Sequence, residues 1–435
     1  MISPSPPLDR VDKSRTRRLL ILLVLAFVVP RVVLLIAATG VPMSDAKWYF
    51  DRAVSIAHGN GYAFDGTPTA FWPVGYPGFL GLLFSIFPES PGTGLIANFF
   101  LAAITMVCAF RIYCELPIST NWALFGTLVL SIFPNFILYQ NLLLSEMLMT
   151  SLLFLSVLGL TSAQRKYQFL LTGVSFGLAT LVKSQVLFLP FFVLIYDVWK
   201  SRRWLFVASK YLVLCLGMAI VIVPWTIRNY VVFHRVIMIQ SNGGYNLLMG
   251  NNQQNRWGGS TGTSSEFAAM FPGVVADINQ RLADEMSMND RATATALRFM
   301  SSNPMEVLKR VPYKLYRFFR HDPQGIGSLL RANAAAGQNL PWLSSLFSLS
   351  FWYYTFVMML AMLSPIAFVF SQLRTRTHFI LLSVILYFTL ISTIFFGEGR
   401  FHIPILPAFV GCMLVTLQAA ARVCTNVRSG MNPDH

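Results

Sequence analysis

The amino-acid sequence predicts an all-α polytopic membrane protein with about ten transmembrane helices, each formed from an apolar run long enough to cross a bilayer. Three observations carry this. Of 435 residues, 55% are hydrophobic and only 12% charged, against roughly 25% charged in soluble domains. Apolar runs on the order of 20 residues recur along most of the chain. One long polar interruption, Pro224 to Pro341, separates an N-terminal set of runs from a C-terminal set.

Residues 1–18 form a basic N-terminus, with Arg10, Lys13, Arg15, Arg17 and Arg18, ahead of an apolar run from Leu19 to Thr39. That run is too long for the core of a cleavable signal and reads as an anchor. A first outer loop, 40–93, follows. Within it Tyr76 to Phe87 is apolar but too short to span, and reads as a re-entrant or interfacial helix. Further spans are expected at 94–114, 121–139, 142–162, 168–182, 184–199 and 204–223. After the polar region 224–341, spans at 343–371, 378–396 and 402–421 complete a C-terminal module, 342–422, before a tail at 423–435.

The formal charge of +15 follows this frame rather than indicating a nucleic-acid partner. With the N-terminus cytoplasmic, the inner loops carry Arg111, then Arg165 and Lys166, then Lys200, Arg202 and Arg203, then Arg374 and Arg376, then Arg422 and Arg428. Every turn obeys the positive-inside rule. The outer face then receives 40–93, the turn 139–141, the region 224–341 and the loop 396–402. Inside the long region, Asn303-Pro304 with Glu306 predicts a helix start with a capping side chain. The helix would be either a basic amphipathic element on anionic headgroups or a packing helix with a solvated basic face. The five cysteines lie in or beside apolar runs and suggest neither disulfides nor zinc.

Acidic residues number only 18, so those at an outer boundary are informative. Asp45 follows the first span in SDAKWYFDRA, with Tyr49 one helical turn on. It suits a general base facing a sugar hydroxyl, or alternatively a helix cap. Glu146 opens a span in LLLSEMLM, and Glu398, Arg400 and His402 lie in FFGEGRFHIP between two spans. Ionisable groups at membrane depth are costly and usually functional. Arg400 offers a donor fork matched to phosphate oxygens, or a salt bridge with Glu398 or Glu146. Lys183, in LATLVKSQVLF, is either a second phosphate contact or a snorkelling lysine.

These motifs occur in the order SDAKWYFDRA, FWPVGYPGFLGLL, PNFILYQNLLLSEMLM, GLATLVKSQVLFLP, PWTIRNYVVFHRVIMIQSNGGYNLLMGNN, NPMEVLKRVPYKLYRFF and GEGRFHIPILPAF. In that order they resemble the multispanning GT-C glycosyltransferases, in particular bacterial relatives of the dolichyl-phosphate-mannose protein mannosyltransferases and of the lipid A aminoarabinose transferase. The resemblance implies the GT-C fold, a polyprenyl-phosphate sugar donor, and a lipid, glycan or protein acceptor. It places the chain in a bacterial inner membrane with both termini cytoplasmic and the active site periplasmic. Asp45 falls on the catalytic aspartate of the family, Arg400 on the arginine associated with the carrier phosphate, and Glu146 and Lys183 on matching positions. An inverting displacement with Asp45 as base is then expected. Arg400, Lys183, Arg228 and His402 would serve the donor, and Glu146, Tyr49, Tyr245 and Asn246 would support the site or the acceptor. Ala46 stands where relatives often carry a second acid, so no cofactor is expected, although a divalent metal, Mg or Mn, is left open. A lipid-linked oligosaccharide ligase and a polytopic transporter or flippase are the alternatives.

Overall fold

The computed structural model describes residues 13–38, 40–259, 285–370 and 373–430. Residues 1–12, 39, 260–284, 371–372 and 431–435 lie outside them. Among the described residues the fold is almost wholly helical. The first outer loop carries α2 (Asp45–Ala57), a two-stranded hairpin (Ala63–Phe64, Thr67–Pro68) and α3 (Gly75–Phe84), after α1 (Lys13–Ala37). Asp65 and Gly66, both at positive φ, form the hairpin turn, as an Asp-Gly pair does. The bundle continues through α4 (Pro91–Cys114), α5 (Thr120–Ser131), α6 (Pro134–Gln140), α7 (Glu146–Ser162), α8 (Lys166–Val182), α9 (Leu189–Lys200) and α10 (Trp204–Phe233). Next come α11 (Gly243–Gly250), α12 (Glu285–Ser302), α13 (Pro304–Phe319) and α14 (Gln324–Ala335). α15 (Pro341–Met362), α16 (Ser364–Phe370), α17 (Arg376–Ile394), a 3-10 turn (Gly399–Ile405) and α18 (Leu406–Gly430) close the chain.

Each expected span has a helix, but their lengths differ. Six helical stretches among the described residues are long and apolar enough to cross a bilayer, and α5 with α6 makes a seventh if that pair, bent by 54°, is one span. Pro134 at the start of α6 accounts for the bend, since proline cannot continue the preceding helix. α7 and α8 have 17 residues each and α9 has 12, at or below the length needed to cross. They pack where small residues allow it. A Cβ on Gly173 of α8 would lie 2.0 Å from the Leu214 carbonyl oxygen of α10, and one on Gly217 would lie 2.2 Å from that of Leu170. Close backbone approach at glycine is how apolar helices gain contact where water supplies no drive.

α13 starts at Pro304 as expected, but Asn303 does not cap it. Its amide donates to the Phe299 carbonyl at 3.1 Å, and Glu306 pairs with Lys309 at 3.0 Å. Nor is the basic side of α13 simply solvated. Arg310, Lys314 and Phe318 are the buried stripe, at i, i+4 and i+8, while Met305, Leu308 and Tyr316 are exposed.

The four stretches assigned to one face touch one another. Glu285 accepts from the Thr69 hydroxyl at 2.7 Å and from the Ala70 amide at 2.8 Å. Tyr139 donates to Asp322 at 2.7 Å, and the Gly397 amide donates to the Gly258 carbonyl at 2.9 Å. At the other end of the bundle Arg376 grips Asp197 through two donors, at 2.8 and 2.6 Å, and donates to the Leu160 carbonyl at 2.6 Å.

Candidate active site

Four charged side chains from four elements form one line. Arg400 Nη1 lies 2.8 Å from Asp45 Oδ2, Arg400 Nε lies 3.5 Å from Glu146 Oε1, and Lys183 Nζ lies 2.8 Å from the same Glu146 oxygen. The order is Asp, Arg, Glu, Lys, so signs alternate and formal charges cancel. Exposure is uneven along it: the side chains of Asp45 and Arg400 are 26% and 24% exposed, that of Glu146 1% and that of Lys183 14%, so Glu146 is the buried member.

Local folding places each charge. Ser44 adopts φ 51° and its side chain makes no cap hydrogen bond, so α2 begins at Asp45 itself. A non-glycine residue at positive φ is strained, and such strain gathers at functional sites. The Asp45 carboxylate turns to Arg400 instead of capping the helix. Glu146 opens α7 after the turn 141–145. That turn is held by Asn98, whose amide donates to the carbonyls of Gln140 at 3.1 Å and Leu142 at 2.9 Å. Lys183 is the C-cap of α8. Both carboxylates sit at helix N-termini and the ammonium at a C-terminus, so each meets the favourable end of a helix dipole. Arg400 arrives on the 3-10 turn that precedes α18. Its partners are Asp45 and Glu146, whereas Glu398 receives the Gln324 amide.

Tyr49 stands one turn after Asp45, with its ring 5.3 Å from Tyr76 and 5.6 Å from Trp72. Burial, reinforced by the negative charges of Asp45 and Glu146, pushes its hydroxyl well above the usual range, so it is a neutral donor. A cavity of about 210 Å³ opens beside the line. Its lining includes the apolar run Val41 to Met43, Leu142 to Leu144, and Gln324, Ser328 and Arg331 at helical spacing on α14, together with Asp45 and Arg400.

Other expected site residues lie elsewhere. Arg228 donates to the carbonyls of Thr69 and Tyr62, both at 3.0 Å, and lies over Trp225, tying α10 to the first loop. His402 is buried, its ring stacked on Tyr354 at 4.4 Å and its Nδ1 2.8 Å from the Phe318 carbonyl oxygen. Tyr245 packs its ring 6.0 Å from Phe71, and the Asn246 amide donates to Asn242 Oδ1 at 3.3 Å. These four brace the surroundings of the site.

The structure adds residues that were not singled out from the sequence. Asp322 is buried and accepts from Tyr139 and from the amides of Gln324 and Gly325, which fixes the start of α14. Burial pushes its carboxyl up from the ordinary value, opposed by those hydrogen bonds. The scarcity of acids was the signal that could have found it. Gln324, Ser328 and Arg331 carried none, because only the packing of α14 brings them to the cavity. For a divalent cation the fit is poor. Asp45 and Glu146 already share Arg400, and among the described residues no group of three or more His, Cys, Asp or Glu could hold a metal ion, whereas Mg and Mn prefer several oxygen ligands.

Residues 72–227 match the family model described as dolichyl-phosphate-mannose-protein mannosyltransferase. No curated protein sequence matches the chain. Among solved structures, the oligosaccharyltransferase AglB of Archaeoglobus fulgidus, in complex with an inhibitory peptide and a dolichol-phosphate, superposes with a TM-score of 0.54 at 12% identity, over 98% of this chain and 53% of that one. A second structure of the Archaeoglobus fulgidus oligosaccharyltransferase, a complex with Zn and sulfate, gives 0.52 at 13% identity over 94% and 49%. ArnT from Cupriavidus metallidurans bound to undecaprenyl phosphate gives 0.45 at 12% identity over 95% and 79%. The chain thus spans about half the length of the oligosaccharyltransferases it resembles, and at these identities the likeness is one of fold.

Proposed function

We propose that this chain, whose fold is that of the GT-C superfamily of membrane glycosyltransferases, transfers a sugar from a polyprenyl-phosphate-linked donor to a lipid, glycan or protein acceptor at the extracytoplasmic face of a bacterial inner membrane. The observation that carries the reading is the pairing of Asp45 with Arg400 in the lining of the cavity, 2.8 Å apart. A carboxylate able to act as a base and a guanidinium able to hold phosphate at one point are what such a transfer needs.

In the proposed mechanism an acceptor hydroxyl attacks the anomeric carbon from the face opposite the carrier. The new C–O bond forms as the bond to the carrier phosphate breaks, the phosphate leaves with the electron pair, and Asp45 takes the hydroxyl proton. Configuration inverts. A phosphate leaving group needs no added proton, but it needs positive charge where its negative charge develops. Arg400 supplies that charge in a planar fork, and Lys183 adds to it from beyond Glu146.

The likeness to an oligosaccharyltransferase supports a second reading, in which the donor is a lipid-linked oligosaccharide. Donor competition separates the two, because a diphosphate-linked donor would be displaced by polyprenyl diphosphate in preference to the monophosphate. The test of the main reading is binding of undecaprenyl phosphate to purified protein. We expect Arg400→Ala to weaken it more than Arg400→Lys, since lysine keeps the charge and loses the fork. Equal affinity in wild type and both variants would remove Arg400 from the phosphate site.

A further inference from the structure

We infer that Lys314 of α13 is a positioning residue for Arg400, pinning the segment that carries the guanidinium to the membrane boundary. The inference rests on the proposed role of Arg400 at the carrier phosphate. α17 ends at Ile394 and the 3-10 turn begins at Gly399, so residues 395–398 have no regular structure of their own. Something else must hold them.

The Lys314 ammonium is fully buried and has three donors, the number of oxygens it meets. It donates to Asn251 Oδ1 at 2.9 Å, the Thr393 carbonyl at 3.0 Å and the Ile394 carbonyl at 3.4 Å. Asn251 donates in turn to the Ile394 carbonyl at 2.9 Å. The backbone closes around the same segment. A Cβ on Gly397 would lie 1.9 Å from the Lys314 carbonyl oxygen, and one on Gly250 would lie 1.7 Å from that of Phe395. Glu398 is tied to Gln324, and Gly399 packs on Asp322. From Thr393 to Gly399 the chain is gripped from the side of α13 and the loop after α11, and Arg400 is the next residue.

A buried cation whose partners are neutral dipoles is a costly way to fill space. Residue 314 could be methionine at no loss to packing if filling were its only task, because apolar replacements of buried charge are often neutral or stabilising. What a lysine supplies here and a methionine would not is the set of donors aimed at the 393–394 carbonyls. The polar region 224–341 therefore sets the position of the phosphate-binding arginine, and a displacement of α13 would be felt there.

The test uses full-length protein in nanodiscs with undecaprenyl phosphate as the probe. Lys314→Met and Gly397→Ala are expected to raise Kd roughly tenfold to 100-fold, the scale of an ångström-sized misplacement. In an Arg400→Ala background Lys314→Met should add nothing, since its effect passes through the guanidinium. Gly173→Ala, whose Cβ would meet the Leu214 carbonyl at 2.0 Å in the α8/α10 crossing, should lower thermal stability and keep Kd. Wild-type affinity in Lys314→Met and Gly397→Ala, with Arg400→Ala impaired, would overturn the positioning role alone. Wild-type affinity in Arg400→Ala would instead overturn the phosphate role of Arg400 and the inference with it.

Discussion

Glu146→Gln removes the most buried member of the charge line. The substitution keeps the shape and removes a charge that is 1% exposed and lies 2.8 Å from Lys183 and 3.5 Å from Arg400. Breaking a buried pair by removing one partner costs about 3 to 5 kcal/mol, because the other charge is left uncompensated. Lys183 is 14% exposed, which lets water relieve part of this and places the expected loss near the low end, about 3 kcal/mol. Lys183→Met is the reverse cut, and it leaves Glu146 with Arg400 still beside it. Its cost should be smaller, about 1 to 2 kcal/mol. The double variant leaves neither charge stranded, so it should recover about 2 kcal/mol relative to the sum of the two single changes, within the coupling range of residues in contact. Equilibrium unfolding in mixed detergent micelles measures all three. Additive losses, or a larger loss in Lys183→Met than in Glu146→Gln, would refute the reasoning.

Two other predictions concern the polar region. Burial lowers the Lys314 ammonium from 10.5 to about 8, so between about pH 8 and 10.5 the unfolded chain holds a proton that the folded chain has shed. Stability should therefore rise with pH across that window, by at most about 3 kcal/mol, and be flat below it; a Lys314→Met protein lacking this rise relative to wild type confirms the source, and parallel curves for the two would exclude it. For orientation, a cysteine at the exposed Gln253, in a chain cleared of its own five, should react with an impermeant reagent in intact spheroplasts. Labelling only after permeabilisation would invert the topology.

Much of the fold was legible because its determinants are one-dimensional. Run length reports apolar helices without knowledge of packing, and each expected run has a helix, although six, or seven with the bent pair, are long enough to cross a bilayer. What run length cannot give is where a helix stops: α7, largely buried among its neighbours, begins at Glu146 and has 17 residues, and α9, only partly buried, has 12. At the site, Asp45, Glu146, Lys183 and Arg400 were legible because charge beside apolar sequence is costly and so conspicuous. The contact of Arg400 with Glu146 was one of the alternatives the sequence offered, but its pairing with Asp45 was not, since those two are 355 residues apart. The capping alternative for Asp45 needed the structure, in which the helix starts one residue earlier than a cap at that position would require. On α13 the basic residues were not told apart by the sequence: Arg310 and Lys314 are buried against partners from residues 251, 252 and 393, whereas Lys309 is exposed, and tertiary hydrogen bonds decide which is which.

The most direct measurement is transfer by Asp45→Asn with a labelled polyprenyl-phosphate sugar in liposomes. Asparagine keeps the size of the side chain and an oxygen able to face Arg400, but it is no base. The account predicts turnover falling by roughly 100-fold to 10,000-fold, the contribution of a positioned general base, while expression and undecaprenyl phosphate binding persist. Asp51→Asn serves as the control, its carboxylate being paired with Lys47 at 2.8 Å and partly exposed, and should transfer at the wild-type rate. Near-normal turnover in Asp45→Asn would contradict the central claim that Asp45 accepts the acceptor proton.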